Sequence, residues 1–307
     1  LVYKLLEPNF NAFNIDEICL FDLYLPKYKD TRIRREIGTV ENSAILKKIS
    51  SERFSLIFYL ASIVSGEAEE NFEKGWNVNL FSMWNFLSAL KVEHLNSSRK
   101  YIPKVIFTSS IAVFGSPFPD KIDDEFLCSP QTSYGAQKAS IEILISDFSR
   151  KGFINGISLR LPTICVRPGK PNKAASGFFS NIIREPLNGK KAYLPVDPSV
   201  RHWHASPRSA VNFLIHAVSL ETFQLENRRS LNLPGVSCTV EEQIESLRSI
   251  AGQKAVDLIV PKKDLSIQNM VKGWPKNFSP LKASQLGFKS ENNFNEIIKI
   301  FIEDDLN

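Results

Sequence analysis

The sequence predicts an α/β protein built on a doubly wound parallel sheet, with a smaller lobe towards its C-terminus. Two observations carry that expectation. Short runs of branched and aromatic residues at 54–60, 104–108 and 156–161 alternate with longer segments of helical periodicity at 76–92 and 133–150. Strands of such length joined by helical crossovers pair in parallel, and their nearly continuous apolar character suits a sheet covered on both faces. After residue 163 the character changes: prolines and glycines gather at Arg167-Pro168-Gly169-Lys170-Pro171, and basic and aromatic residues mix over 193–208.

In chain order, residues 1–7 read as the tail of a helix closed by Pro8, and 17–22 as a short strand ending at the acid Asp22. A helix is expected at 43–50 and a buried strand at 54–60. The long helix at 76–92 carries apolar residues at 76, 80, 83, 84, 87 and 90, the spacing of one helical face. Pro103 precedes the strand at 104–108, and Pro162 closes the strand at 156–161. Segments 165–177 and 193–208 read as loops, 230–233 as a strand stopped by Pro234-Gly235, and 239–250 and 292–303 as helices. The expected division is a nucleotide-binding domain over 1–162 and a substrate lobe over 163–307, interleaved with the last sheet strands.

Composition narrows the class. Apolar residues make up 43% and charged residues 23% of the 307, ordinary for a globular protein with a packed core. The net charge of +5 is spread along the chain, which argues against a nucleic-acid partner. Cys19, Cys128, Cys165 and Cys238 are isolated, with neither disulfide nor zinc spacing, and suit a reducing cytoplasm. No apolar run approaches the roughly 18 residues of a membrane span.

The chemistry centres on Tyr134-Gly-Ala-Gln-Lys138, which follows Ser110. Positions i and i+4 of a helix share a face, so the phenol and the ammonium come close. A neighbouring cation favours the phenolate, and the expectation is that Lys138 lowers the Tyr134 pKa enough to make it a general base. Ser110 follows the strand at 104–108, at the strand end where open α/β sheets bind ligands. A lone Tyr-x-x-x-Lys spacing arises often by chance. Here it has context: Thr108-Ser109-Ser110 after a strand, then Val113-Phe114-Gly115, then Ser133-Tyr134-Gly135 opening a helix.

That run, 107–115 with Tyr134-x-x-x-Lys138, resembles the extended short-chain dehydrogenases, the NAD-dependent epimerase/dehydratase family. Segments 157–179, 183–186 and 201–210 are similar, more narrowly, to D-erythronate dehydrogenases. The resemblance runs from about residue 20 to the end and is most specific over 104–211. It implies a Rossmann-type sheet, NAD as cofactor, Tyr134 as catalytic base, Lys138 on the nicotinamide ribose and Ser110 orienting the substrate. Asn79 matches the asparagine that organises the family's site, although Ser82-Met83 replaces the Gly-Thr usual after it. Asp22 would accept hydrogen bonds from the adenosine ribose and so favour NAD over NADP. Leu60-Ala61-Ser62 would pass beneath the cofactor, with Pro162 and Thr163 flanking the nicotinamide.

Arg167, Lys170, Lys173, Arg201, His202 and His204 fall in the segments that resemble the substrate lobe. A carboxylate substrate needs a cation, and Arg offers two parallel donors; Arg201 is favoured, with Arg167 as a second candidate. His202 and His204 bracket Trp203, but no acid or cysteine cluster completes a metal site, so no metal is expected. The resemblance implies oxidation of the C2 hydroxyl of a small hydroxy acid such as D-erythronate, in a cytoplasmic homodimer. A nucleotide-sugar epimerase or dehydratase and a non-catalytic NAD-binding scaffold stay open, because the same fold and triad serve them.

One family feature has no counterpart. No GxxGxxG turn for the pyrophosphate occurs in the sequence, and residues 1–7 look like the helix that should follow it. The expectation is that roughly 15 to 20 residues, one strand and its turn, precede Leu1, with divergence as the alternative. That strand would lie between those ending at Asp22 and Thr108.

Overall fold

Helical crossovers on either side of parallel strands organise the computed structural model, which describes residues 1–7, 15–169, 174–226 and 228–306. Lys170 and Lys173 therefore lie outside the described residues. The first six strands are β1 (Ile18–Asp22), β2 (Ile33–Ile37), β3 (Leu56–Tyr59), β4 (Lys104–Ser110), β5 (Asn155–Leu161) and β6 (Thr163–Ile164). They are followed by β7 (Ala192–Leu194), β8 (Arg201–Ala205), β9 (Ser230–Asn232), β10 (Val236–Thr239) and β11 (Ile259–Pro261).

The main sheet runs β3-β4-β5-β9, all parallel. β1 and β2 form a separate parallel pair. Towards the C-terminus, β8 pairs in parallel with β6 and antiparallel with β10, and β11 pairs with β7. The strand beside β4 is β3, with Leu56 opposite Lys104 and Tyr59 opposite Phe107. This corrects the expected placement of an extra strand next to the one containing Thr108. β4 is already hydrogen-bonded on both sides, whereas among the described residues β1 pairs only with β2 and β3 only with β4.

The helices that position the site are α1 (Ser43–Ser51), α2 (Ser82–Asn96), α3 (Ser133–Arg150), α4 (Gly177–Leu187), α5 (Pro207–Ser219), α6 (Val240–Ala251) and α7 (Phe294–Asp304). Side chains at the N-caps secure several: Asn42 accepts from Ala44 and Ile45 N–H at α1, and Thr132 from Gly135 N–H at α3. Thr239 and Glu242 form a capping box at α6. Among the described residues, no helix is long and apolar enough to cross a membrane.

Alternation along β4 explains its apolar run. Val105 and Phe107 pack with Met83, Leu87, Ile141 and Ile145 of α2 and α3, while Ile106 packs with Phe213, Leu214 and Ala217 of α5. A third core, around Phe179, Ile183, Leu247, Ile297 and Phe301, holds the C-terminal elements together.

Two expectations fail locally. Segment 193–208 is not a loop: it contains β8 and the start of α5, and β8 buries His202, Trp203 and His204. Hydrogen-bonded polar aromatics occupy positions where an apolar alternation would have shown a strand. The helix expected at 76–92 begins with a π-helical turn, Trp76–Phe81, before α2.

Candidate active site

Ser110 is the last residue of β4, opposite Leu161 of β5. Its hydroxyl oxygen accepts from the Ala112 N–H at 3.1 Å, which orients it at the strand exit. The next turn must then meet α3 closely. A Cβ on Gly135 would lie 2.1 Å from the Ala112 carbonyl oxygen, so only glycine lets the first turn of α3 seat there. This seating brings Tyr134 to Ser110: the hydroxyls of Ser110 and Ser62 face its phenol.

Lys138, one turn along, is 2% exposed. Its Nζ donates to the Thr108 carbonyl at 2.8 Å and lies 4.6 Å from the Phe107 ring centre and 5.5 Å from that of Tyr134. Burial pushes the Lys138 ammonium down to about 7, against the pull of Glu142. Burial also pushes the Tyr134 phenol up to about 12, opposed by Ser110, Ser62 and the charge of Arg167. The proximity expected from the spacing is present, but the expected direction is not: desolvation by burial is the largest influence on each group.

Asn79 is 1% exposed, within the π-helical turn. Its Oδ1 accepts from the Ser62 hydroxyl at 3.0 Å and from Ile63 N–H at 2.9 Å, and its Nδ2 donates to Gln137 Oε1 at 2.6 Å. A π turn inserts an extra residue and is a frequent functional-site device. The Asn79 amide thus ties the turn after β3 to the helix carrying Tyr134 and Lys138. Sequence reasoning missed Gln137, and also the buried pair that anchors α3: Arg160 Nη2 lies 2.7 Å from Glu142 Oε2, and Ser109 donates to Glu142 at 2.5 Å. Glu142 one turn beyond Lys138 was the available signal.

Comparison with known proteins gives the family. The NAD dependent epimerase/dehydratase family matches residues 16–206. The chain belongs to that family. Two relatives named D-erythronate dehydrogenase, from Cupriavidus necator and Haemophilus influenzae, are each 41% identical. The matches cover 94% of this chain and 88% of the first relative, and 96% and 93% for the second. A crystal structure described as a nucleoside-diphosphate-sugar epimerase from Agrobacterium tumefaciens is 49% identical with a TM-score of 0.91, covering 95% of this chain and 85% of that one. An L-threonine dehydrogenase from Clostridium difficile shares the fold, with a TM-score of 0.80 at 21% identity, over 93% of this chain and 88% of that chain. The protein is an NAD-dependent oxidoreductase.

The family's cofactor can be tested against the residues present. As the ammonium, Lys138 has three N–H donors and uses one on Thr108, leaving two for a ribose diol. Asp22 is exposed at the end of β1; its carboxylate accepts from Leu23 N–H and has no cation partner among the described residues. These groups fit the two ribose ends of NAD. No glycine-rich turn among the 14 glycines offers amides to a pyrophosphate. After β3, Leu60 is exposed and Ala61 and Ser62 are partly buried; Pro162 is buried and Thr163 partly exposed on β6.

The basic residues part company. Arg167 is partly buried, its charge acts on the Tyr134 phenol, and among the described residues no acid pairs with it. Burial lowers its pKa from an ordinary value far above neutrality. Arg201 is held by Glu242 at 3.1 Å and by the Ser237 carbonyl, and no bond joins it to Ser110, Tyr134 or Lys138. Of the two candidates, the charge of Arg167 is felt at the Tyr134 phenol, whereas the favoured Arg201 is engaged by Glu242 and Ser237. His202 and His204 are buried and burial keeps both neutral, His202 down to about 4 and His204 well below its usual value. Among the described residues, no group of His, Cys, Asp and Glu could hold a metal ion.

Proposed function

We propose that this family member oxidises the C2 hydroxyl of a small sugar acid, D-erythronate or a close relative. The observation that carries the reading is Arg167: among the described residues no acid pairs with its guanidinium, and its charge acts on the Tyr134 phenol, which suits it to hold the carboxylate of a short substrate whose hydroxyl meets Tyr134. The names of the two relatives from Cupriavidus necator and Haemophilus influenzae support the same substrate class. Ser110 donates to the substrate hydroxyl oxygen, and Tyr134 accepts the hydroxyl proton as the phenolate, the form that Ser110, Ser62 and the charge of Arg167 favour against burial. Lys138 binds the nicotinamide ribose and Asp22 the adenosine ribose. Leu60, Ala61, Ser62, Pro162 and Thr163 line the cofactor. When bound, NAD supplies the hydride acceptor, so that loss of the proton and of the hydride together yield the ketone.

The same reading divides the chain into a cofactor domain, 1–162, and a substrate lobe, 163–307. It includes a cytoplasmic homodimer, for which the exposed Trp84 and Ile143 on α2 and α3 supply apolar surface. A second reading, epimerisation of a nucleotide sugar, is favoured by the description of the Agrobacterium tumefaciens structure. Stoichiometric NADH formation from D-erythronate, abolished by Tyr134→Phe with an unchanged melting temperature, supports the dehydrogenase. Turnover of a nucleotide sugar without net NADH, and none of any four-carbon acid, would replace it by the epimerase.

A further inference from the structure

His202 is 3% exposed on β8, with both ring nitrogens engaged. Nδ1 lies 2.8 Å from the Pro275 carbonyl oxygen, and Nε2 lies 2.6 Å from Thr163 Oγ1. A carbonyl oxygen only accepts, so Nδ1 carries the hydrogen. A neutral imidazole has a single N–H, which leaves Nε2 as an acceptor and makes the Thr163 hydroxyl its donor. The ring is clamped in this orientation. It stacks on Phe179 at 5.2 Å with an interplanar angle of 4°, and is flanked by Trp274 at 5.2 Å and the edge of His204 at 5.3 Å.

With its hydrogen turned to His202, Thr163 has only lone pairs for a further partner. Thr163 is partly exposed, and it follows Leu161, the β5 partner of Ser110, by two residues. An acceptor in that position takes an N–H or O–H group and rejects a carbonyl.

We propose that His202 is a positioning residue that fixes the Thr163 hydroxyl as an acceptor, and that Thr163 thereby selects the N–H of the nicotinamide carboxamide. The proposal rests on the reading that Thr163 flanks the nicotinamide. His202 touches neither cofactor nor substrate; it acts through the direction of one hydroxyl hydrogen.

The test is equilibrium binding, by calorimetry on the full chain, of NAD and of its 3-acetylpyridine analogue, whose methyl ketone lacks the amide N–H. Three variants are compared: His202→Phe, which keeps the stack and loses both nitrogens; His202→Gln, whose amide keeps one donor and one acceptor; and Thr163→Val. His202→Phe and Thr163→Val should each lower the preference for NAD over the analogue about fivefold, the scale of one net hydrogen bond, and His202→Gln should restore most of it. Nitrogen-15 NMR of the unsubstituted protein should show the Nδ1–H tautomer of His202, and this readout holds even where a variant folds poorly. An Nε2–H tautomer overturns the proposal. So does a preference that Thr163→Val lowers and His202→Phe leaves intact. A preference unchanged by Thr163→Val instead overturns the placement of Thr163 beside the nicotinamide, and the proposal with it.

Discussion

Lys138 sits one helical turn beyond Tyr134, closed off from water between the Phe107 ring and the Thr108 carbonyl. Its pKa falls to about 7 from an ordinary 10.5. Between these values the unfolded chain holds a proton on this lysine that the folded chain has released. The lysine therefore makes stability rise with pH from about 7 to about 10.5, and below that window the cost of burying the charge is fully present. Lys138→Met should raise the melting temperature at pH 6.5 relative to pH 9.5, flattening that rise, while abolishing turnover. A parallel pH dependence in the variant and the parent protein would contradict the buried-amine assignment. The closeness of Tyr134 and Lys138 was legible in the sequence because helical geometry fixes an i, i+4 pair. The balance of desolvation was not, since it depends on Phe107 and Tyr134 closing over the ammonium. Gln137 was illegible for a similar reason: an amide on a helix reads as surface until Asn79 is seen to donate to it.

At the scale of elements, the site depends on how α3 starts. The Thr132 cap and the close approach of Gly135 to Ala112 set where Tyr134 stands relative to Ser110. Gly135→Ala places a methyl 2.1 Å from a backbone oxygen that cannot swing aside, so the first turn of α3 must move. The expected costs are about 1–3 kcal/mol of stability, measured by urea unfolding, and about 100-fold in kcat, as for a misplacement near 1 Å. Unchanged kcat would show that Tyr134 does not need this seating. The strands of the main sheet were legible because helices on both faces demand uninterrupted apolar runs. β8 was hidden because His202 and His204 are buried polar residues, bonded through Thr163 and Pro275 at His202 and through Gln243 at His204. β2 was hidden because Arg34, Arg35 and Glu36 give it the look of a charged surface, where Arg34 pairs with Glu17 and Glu36.

At the scale of the molecule, the candidate site joins two parts of the chain. Ser110, Tyr134 and Lys138 come from the sheet and its crossover helix; Arg167 comes from the segment beyond β6, where the sequence turns irregular. The sequence resemblance pointed to that segment without separating its cations. Folding separates them, because Glu242 and Ser237 hold Arg201 while the charge of Arg167 acts on the Tyr134 phenol. On the proposed reading, acid recognition falls to the Arg167 guanidinium, and the central claim can be tested on it. The decisive measurement is the initial rate of NADH formation from D-erythronate and from erythritol, the four-carbon polyol without the carboxylate, by the parent protein and by Arg167→Met. The account predicts a strong preference for the acid in the parent and a rise in KM for D-erythronate of about 10-fold to 100-fold in the variant, the loss of one charge-assisted pair, with little change for erythritol. Equal kinetics for D-erythronate in the two proteins would contradict it.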